Sequence, residues 1–341
     1  MTEAYITILI NDNYLPGSLV LARSLRDLGT TKELAILVAN VSNEAIELLK
    51  QVYDDVIPVN PILSTSFDEL STLGRIDLVS TFTKILVWSQ HQYSKIIYLD
   101  SDVLPIVNID EFFNELQNDD LIAASPDSGW PDIFNSGVFI TKPSETIFND
   151  LFHLIQNDDK ASFDGADQGL LNEYFLGKWK RLPFTFNVTP SAGYQYVPAF
   201  TRFAKDIKII HFIGLNKPWL TRDSNSFAST SFGKGYEIIT NIHKNWWKVF
   251  NSHYFGKIAG DIFKISNIKP IEDFSNKGEA HLLALPNSII NQWDNLDLNE
   301  DEDEGDGFEY QAPPPIFPWE QASNRAEATR VFDEETDFYV D

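Results

Sequence analysis

The most chemically suggestive residues are two aspartates, Asp100 and Asp102, which directly follow the apolar run at residues 95–99. In an extended chain, residues i and i+2 point to the same side, so two carboxylates would leave the end of a strand together. Carboxylates that close raise each other's pKa unless a cation lies between them. One interpretation is a divalent metal that serves a phosphorylated ligand, and the other is a solvated turn.

A histidine and a lysine further along the chain bear on the same chemistry. His211 lies in an apolar, strand-like run, where it is either a core histidine bonded to a backbone carbonyl or a third metal ligand. Two carboxylates and an imidazole, completed by phosphate oxygens, suit Mn²⁺ better than Zn²⁺ or Ca²⁺. Gly214 would permit close backbone approach, and Lys217 is either a solvated surface residue or a point charge for a phosphate.

Three further positions combine polar groups with unusual surroundings. Lys84 has apolar neighbours, so it either extends along the surface to water or points into a cleft. The run Asp164–Gly169 precedes a predicted helix; Asp164 there is a candidate N-cap, whereas Asp164, Asp167 and Gln168 together would suit a sugar. The run Asn135–Gly137 precedes a predicted strand and is either a plain turn or a set of amides that bind hydroxyls.

These residues must be positioned by an alternating series of strands and helices, which predicts an α/β fold with a mostly parallel sheet covered on both faces. Ligands of such sheets bind at the carboxyl ends of the strands, where Asp100 and Asp102 are expected. The predicted strands are 5–10, 33–38, 56–61, 96–99, 121–125, 138–141 and 208–214. One predicted helix begins near Pro16, and the others cover 43–53, 78–90, 147–156 and 168–175.

Composition limits the partners and the compartment. The 341 residues are 43% hydrophobic and carry a formal net charge of −24, which argues against binding to nucleic acid or to an anionic membrane surface. There is no cysteine, so thiol catalysis and zinc–thiolate sites are excluded. Neither a signal peptide nor an apolar run long enough for a membrane helix is found, and we therefore expect a cytoplasmic protein.

The alternation of strand-like and helix-like segments fades near residue 258, and the sequence therefore predicts three regions. Residues 1–258 form the catalytic-type domain, and residues 259–309 form a variable linker that contains the acidic run 300–306. Residues 310–341 carry the aromatic cluster Phe317–Glu320. Exposed aromatic residues beyond a linker are typical of partner-binding motifs.

The combination of motifs resembles the glycogenins, the self-glucosylating initiators of glycogen synthesis in glycosyltransferase family 8, with the fungal branch the most similar. The resemblance covers roughly residues 5 to 220, and its motifs occur in family order. The matching stretches are Asn11–Tyr14, Thr83–Lys84, Tyr98–Asp102, Gly129–Asp132, Phe134–Phe139, Asp164–Gly169, Leu182–Phe184, His211–Gly214 and Lys217–Trp219.

The resemblance implies a GT-A fold, Mn²⁺ as cofactor and UDP-glucose as donor. Asp100, Asp102 and His211 would hold the metal, and Gly214 and Lys217 the phosphates. The positions implied for the uridine are Ile8, Ile10, Asn11 and Tyr14, and those implied for the glucose are Asn135, Asp164, Asp167 and Gln168. Further donor-binding positions are Arg75, Lys84, Ser101 and Ser136. The implied catalytic residues are Lys84, Asp164, Asp167 and Gln168. Ser101 replaces the alanine that is commoner in animal members.

The self-acceptor implied by the resemblance is Tyr194, with Tyr196 as a second acceptor; the surrounding Pro190 and Gly193 differ from the animal pattern. The family retains the anomeric configuration, either through a carboxylate that first takes the sugar, with Asp167 as the candidate, or through attack on the leaving-group face. A homodimer and glycogen synthase, bound through the tail Phe317–Phe332, are the implied protein partners. The alternatives are transfer to a small acceptor, as galactinol-type synthases perform, and a non-enzymatic scaffold.

Overall fold

The first half of the chain forms four parallel strands, as the alternating pattern predicts. The computed structural model describes residues 2–64, 66–117, 119–158, 161–214, 217–220 and 234–268. The parallel strands lie in the order β3-β2-β1-β4, and they are β1 (Thr2–Leu9), β2 (Glu33–Val38), β3 (Asp55–Pro58) and β4 (Tyr93–Leu99). The helical segments between them are α1 (Leu15–Asp27), α2 (Asn43–Leu49), α3 (Phe67–Leu73) and a 3-10 segment, Ile76–Ser89.

The second half extends this sheet with antiparallel pairing. Strand β7 (Phe134–Thr141) lies between β4 and β6 (Ile122–Pro126) and is antiparallel to both, while β8 (Trp179–Arg181) is parallel to β6. The seven-stranded sheet is therefore mixed and mostly parallel, which confirms the predicted fold class. A separate pair of short antiparallel strands, β5 (Val103–Pro105) and β9 (Ile209–His211), lies beside it.

The helices of the second half lie between its strands and after them. They are α4 (Glu145–Asn157), α5 (Asp167–Tyr174), α6 (Ala192–Gln195), α7 (Val197–Phe203), α8 (Lys234–His253) and α9 (Gly256–Ile265). Ile262 of α9 is fully buried in the same core as α1 and α8. The packed region thus continues beyond residue 258, the predicted end of the domain. The predicted linker beyond residue 268 and the tail 310–341 lie outside the described residues.

Two hydrophobic layers cover the faces of the sheet. Alternate residues of β1 enter different layers, with Ile6 beside Phe82 and Trp88 on one face and Tyr5 and Leu9 on the other. Successive side chains of a strand point to opposite faces, and both faces of this sheet are covered. The strands are consequently apolar on both sides, as expected for a largely parallel sheet.

Several element boundaries differ from those predicted, and the backbone explains why. The predicted helix 43–53 ends at Leu49, because residues 51 and 52 form tight i→i+3 turns that lead the chain into β3. The predicted strand 208–214 is shorter, because the pairing of β9 with β5 covers only three residues of each strand. Gly29 has a φ of +87° just after α1, the left-handed conformation in which glycine commonly ends a helix.

Over the described part of the chain, every helix is too short or too polar to cross a bilayer.

Candidate active site

Two strand contacts bring the paired aspartates and His211 together. Asp100 follows β4, and its backbone N–H donates to the carbonyl of Gly137 in the adjacent strand β7 at 2.8 Å. The chain then turns into β5, whose first residue Val103 pairs with His211 of β9. The N–H of Phe212 also donates to the Asp102 carbonyl at 2.9 Å. The pairing of β5 with β9 therefore places His211 beside Asp102.

The side chains of Asp100, Asp102 and His211 form a compact donor cluster. The His211 Nε2 atom lies 3.3 Å from Asp102 Oδ1 and 3.9 Å from Asp100 Oδ2. One ligand atom from each of the three residues lies within 4.8 Å of the others. Asp102 and His211 are buried, and the Asp100 side chain is about one-third exposed. Two carboxylate oxygens and one imidazole nitrogen suit a divalent metal ion, so the residues fit the expected metal site.

Gly137 leaves the space that this cluster needs. A Cβ atom at this position would collide with the His211 ring and lie 2.9 Å from Asp100 Oδ2. The glycine of the Asn135–Gly137 motif thus permits both ligands to pack against the backbone of β7.

We expect Gly137→Ala to weaken divalent-metal binding about tenfold or more, because the added methyl group displaces two of the three donors. Overpacking should also lower the free energy of unfolding by about 1–3 kcal/mol. Mn²⁺ titration and urea unfolding measure the two effects. Gly129→Ala is the control, since a Cβ there meets nothing within 4 Å. Unchanged metal affinity in Gly137→Ala would contradict the crowding argument.

Lys217 is the cation nearest to Asp102. It is buried, donates to the Asp102 carboxylate and donates to the Phe212 carbonyl at 2.7 Å. Burial alone would raise the pKa of Asp102, but Lys217 and then His211 hold it well below its usual range. The Lys217 ammonium also lies 5.5 Å from the ring centroid of Tyr14. Of the two interpretations offered for Lys217, the solvated surface residue is wrong.

Lys84 points into the site and not along the surface. Its Nζ atom lies 3.1 Å from Asp100 Oδ1 and 2.5 Å from Asp167 Oδ2, and it donates to the Ser136 carbonyl at 3.2 Å. It also lies 4.8 Å from the ring centroid of Tyr98. Burial lowers the pKa of Lys84, but the Asp100 and Asp167 carboxylates outweigh burial and raise it above the ordinary value.

The polar residues expected near the sugar meet where β7 faces the start of α5. The Ser136 hydroxyl donates to Asp167 Oδ2 at 2.7 Å, and the Ser136 N–H donates to Gln168 Oε1 at 3.2 Å. The run Asn135–Gly137 lies inside β7, so its interpretation as a turn before a strand is wrong. Pairing with Pro126 of β6 begins as early as Phe134 and extends the strand.

Asp164 performs the capping role that its position before α5 suggests. Its Oδ1 atom accepts from the N–H groups of Ala166 and Gly169 at 2.9 and 3.0 Å, and from the Ser162 hydroxyl at 2.8 Å. Burial raises the pKa of Asp164 above its ordinary value, in spite of these hydrogen bonds. The formal N-cap position of α5 is Ala166, whose side chain has no acceptor.

The residues expected near the nucleotide follow β1 or border the cluster. Ile8 is buried, Ile10 is half-buried, and exposed Asn11 accepts from the Asn13 N–H at 3.0 Å through Oδ1. Tyr14 packs edge-on against Trp219. Of the further donor positions, Ser101 is buried, and Arg75 is half-buried at the start of the 3-10 segment. Gly214, expected at the phosphates, has a φ of +80°.

The two candidate acceptor tyrosines lie near α6. Tyr194 is part of this helix, and its side chain lies outside the part of the chain that the structure describes. Tyr196 follows directly and is 67% exposed. Helix α6 packs against α8 and α7.

Sequence reasoning missed two residues that connect the site. Asp127 follows β6 and accepts from Asn135 Nδ2 at 3.1 Å and Gln168 Nε2 at 2.8 Å through Oδ2. Asn187 is buried and bonds to His211 Nδ1 at 2.9 Å. A carboxylate just after a strand was an available signal for Asp127, whereas nothing in the local sequence marked Asn187.

Comparisons with known proteins agree with the fold and the motifs. The family model described as glycosyl transferase family 8 matches residues 5–223. Glycogenin from Neurospora crassa is 46% identical over 74% of this chain and 36% of its own length. Glycogenin from Komagataella phaffii is 35% identical over 91% of this chain and 77% of its own, and human glycogenin-1 is 41% identical over 74% and 72%.

The coverage of these relatives is uneven, since the chain spans about a third of the Neurospora protein and 65% of mouse glycogenin-1. Among solved structures, an active-site mutant of LgtC superposes with a TM-score of 0.54 at 19% identity, over 73% of this chain and 95% of that one. That similarity shows the shared GT-A fold. The family match over most of the chain, together with the glycogenin relatives, shows that the chain belongs to glycosyl transferase family 8 and, within it, to the glycogenins.

Proposed function

We propose that this protein transfers glucose from UDP-glucose to its own Tyr194 with retention of configuration, and then extends the sugar into a short α-1,4-glucan primer. The observation that supports this most directly is the donor cluster of Asp100, Asp102 and His211 with Lys217 beside it. An acidic protein needs such local positive charge to hold a diphosphate, because its overall field repels anions.

The nucleotide side of the proposed site combines a metal with a buried ammonium. Asp100, Asp102 and His211 would hold Mn²⁺, which when bound stabilises the negative charge that develops on the leaving UDP. Lys217 supplies a second positive charge, and Gly214 gives the phosphates access to the backbone. The uridine would lie against Ile8, Ile10, Asn11 and Tyr14, with Arg75, Lys84 and the Ser101 backbone as further donor contacts.

The sugar side would use the amides and carboxylates between β7 and α5, namely Asn135, Ser136, Asp164, Asp167 and Gln168. Two retaining routes are chemically reasonable. In the first, an Asp167 oxygen would attack C1 as the bond from C1 to UDP breaks, and the acceptor hydroxyl would then displace Asp167 from C1. In the second, the acceptor attacks on the side that UDP leaves. Asp167 Oδ2 is already paired with Lys84 and accepts from Ser136, which lowers its nucleophilicity and favours the second route.

The acceptor hydroxyl requires a proton acceptor, because a tyrosine has a pKa of about 10 in water. In the favoured route, a phosphate oxygen of the departing UDP takes the proton from Tyr194. Transfer between the subunits of a homodimer would bring Tyr194 to a donor on the partner. We further propose a cytoplasmic enzyme, which the lack of cysteine favours, and a glycogen synthase contact through the tail Phe317–Phe332.

Intact-mass measurement with UDP-glucose and Mn²⁺ tests the proposal. The protein should gain mass in hexose increments that survive denaturation, and peptide mapping should place the first hexose on Tyr194. Tyr194→Phe should remove nearly all of the gain, because the substitution deletes the acceptor oxygen and little else.

Tyr196→Phe is the matched control and should keep most of the gain. Full labelling of Tyr194→Phe would overturn the assignment of the acceptor. Release of UDP with all of the sugar in a small soluble product would instead support transfer to a small acceptor.

A further inference from the structure

A chain of buried side-chain amides connects Asp127 to His211. Asp127 Oδ2 accepts from Asn135 Nδ2 at 3.1 Å, and Asn135 Oδ1 accepts from Asn187 Nδ2 at 2.8 Å. Asn187 Oδ1 then lies 2.9 Å from His211 Nδ1. We call Asp127, Asn135 and Asn187 the amide relay. It approaches the side of the His211 ring that faces away from Asp100 and Asp102.

The relay has a direction, and the carboxylate sets it. An ionised carboxylate only accepts hydrogen bonds, so the Asn135 amide must present its NH₂ group to Asp127. The Asn135 oxygen then faces Asn187, which must present its own NH₂ group in turn. The Asn187 oxygen is left for the ring, so His211 carries a proton on Nδ1. Nε2 is then the ring nitrogen available to a metal ion, and it is the nitrogen that faces the two aspartates.

Two further hydrogen bonds hold the relay in this orientation. The Gly137 N–H donates to Asn135 Oδ1 at 3.0 Å, and an N–H group is only a donor, so the Asn135 amide cannot reverse without losing this bond. The Ser128 N–H donates to Asp127 Oδ1 at 2.6 Å, which holds the carboxylate at its other oxygen. Asn135, Asn187 and His211 are 8%, 2% and 4% exposed, so water competes little for these bonds.

We propose that the amide relay is a positioning device that fixes the ring orientation and the Nδ1–H form of His211 for metal binding. The inference rests on the proposed metal site. Asp127 touches none of the three ligands, and it acts only through the two amides. Because Asp127 also accepts from Gln168, the same carboxylate links the metal side of the site to the sugar side.

The partners of metal-bound histidines commonly contribute about 10- to 100-fold to metal affinity. We therefore expect Asn187→Ala and Asp127→Ala each to raise the Kd for Mn²⁺ alone about tenfold. Electron paramagnetic resonance of free Mn²⁺ measures this constant on the full chain without donor sugar. The effects should not add, because either substitution breaks the same relay, and the double Ala variant should resemble the single ones.

A compensating substitution distinguishes positioning from loss of structure. Asn187→Asp in the Asp127→Ala background places a carboxylate directly against His211 Nδ1–H. The Asn135 amide, no longer held by Asp127, can reverse and donate to that carboxylate, at the cost of its bond from the Gly137 N–H. This double variant should regain part of the lost Mn²⁺ affinity. In the otherwise unchanged chain, Asn187→Asp should weaken binding, because the new carboxylate faces the Asn135 oxygen. In the metal-free protein, ¹⁵N-histidine spectra should show a slowly exchanging His211 Nδ1–H that Asp127→Ala exposes to exchange.

Thr141→Val is the matched control for a lost buried hydrogen bond. It lies at the far end of β7, where its hydroxyl donates to the Leu121 carbonyl at 2.9 Å. It should lower stability and leave the Mn²⁺ affinity unchanged. Unchanged affinity in Asp127→Ala, or additive effects of Asp127→Ala and Asn187→Ala, would overturn the relay. Unchanged affinity in His211→Ala would instead overturn the proposed metal site itself.

Discussion

Asp102→Asn is expected to lower the rate of UDP release from UDP-glucose by about 10³-fold, since it removes a metal ligand and the charge next to the diphosphate. The carboxylate of Asp102 lies between Lys217 and His211 Nε2, and it is buried with both. An asparagine oxygen is neutral and binds a divalent cation weakly. Its NH₂ group would also face either the Lys217 ammonium, which needs a hydrogen-bond acceptor, or His211 Nε2, which would bind the metal.

The measurement is UDP release at saturating Mn²⁺, together with the Kd for Mn²⁺. Asp120→Asn is the matched control. Asp120 is a partly exposed carboxylate that lies 3.6 Å from the Lys180 ammonium, and it is not part of the Asp102, His211 and Lys217 group. The control should keep its rate and its Mn²⁺ affinity. A rate in Asp102→Asn within about twofold of the unsubstituted protein would remove the basis for a metal-assisted transfer.

Lys84→Met should lower the free energy of unfolding by about 3–5 kcal/mol, the usual cost of removing one partner from a buried ion pair. The Lys84 ammonium lies between Asp100 and Asp167, and the substitution leaves two carboxylates facing each other across an apolar side chain. Sugar transfer should fall about 10²-fold or more, because Asp100 and Asp167 both lose the group that positions them. Urea unfolding and UDP release measure the two effects.

Lys180→Met provides the comparison. Lys180 is one-third exposed in its own ion pair, and such surface pairs contribute about 0–1 kcal/mol. The difference between the two lysine variants isolates the effect of burial. Equal stability losses would contradict the view that Lys84 is a buried cation of the site, and normal transfer by Lys84→Met would contradict its role in orienting the two carboxylates.

The sequence predicted the start of the site well, because that part depends on local pattern. An apolar run followed by Asp100 and Asp102 placed two carboxylates at the carboxyl end of β4, where the structure has them. The alternation of strands and helices predicted the class of the sheet and left the order of its strands undetermined. Strand β7 enters between β4 and β6 through antiparallel pairing, and periodicity carries no information about which strands become neighbours.

Other parts of the site could not be assigned from local pattern. Lys84 had two equal interpretations, because an apolar environment explains both a surface lysine and a buried one until its partners are known. The local sequence leaves Asn135 open between a turn residue and an amide that binds hydroxyls, because no local signal shows that pairing with β6 extends the strand past it. Asp127 and Asn187 were missed because each acts through a partner on another element, and Asn187 has no distinctive neighbours in sequence.

The chemistry available to this protein can be read from its residues in order: an acidic, cysteine-free chain with paired aspartates after a buried strand, a histidine and a lysine more than a hundred residues later, and the motif order of its family. Which of these groups meet depends on the folded chain. The pairing of β5 with β9 brings His211 to Asp102, and the contact of β7 with α5 encloses Lys84 between Asp100 and Asp167. Such contacts follow from the packing of the whole core, since the free energy that holds a buried charge in place comes from residues distant in the sequence.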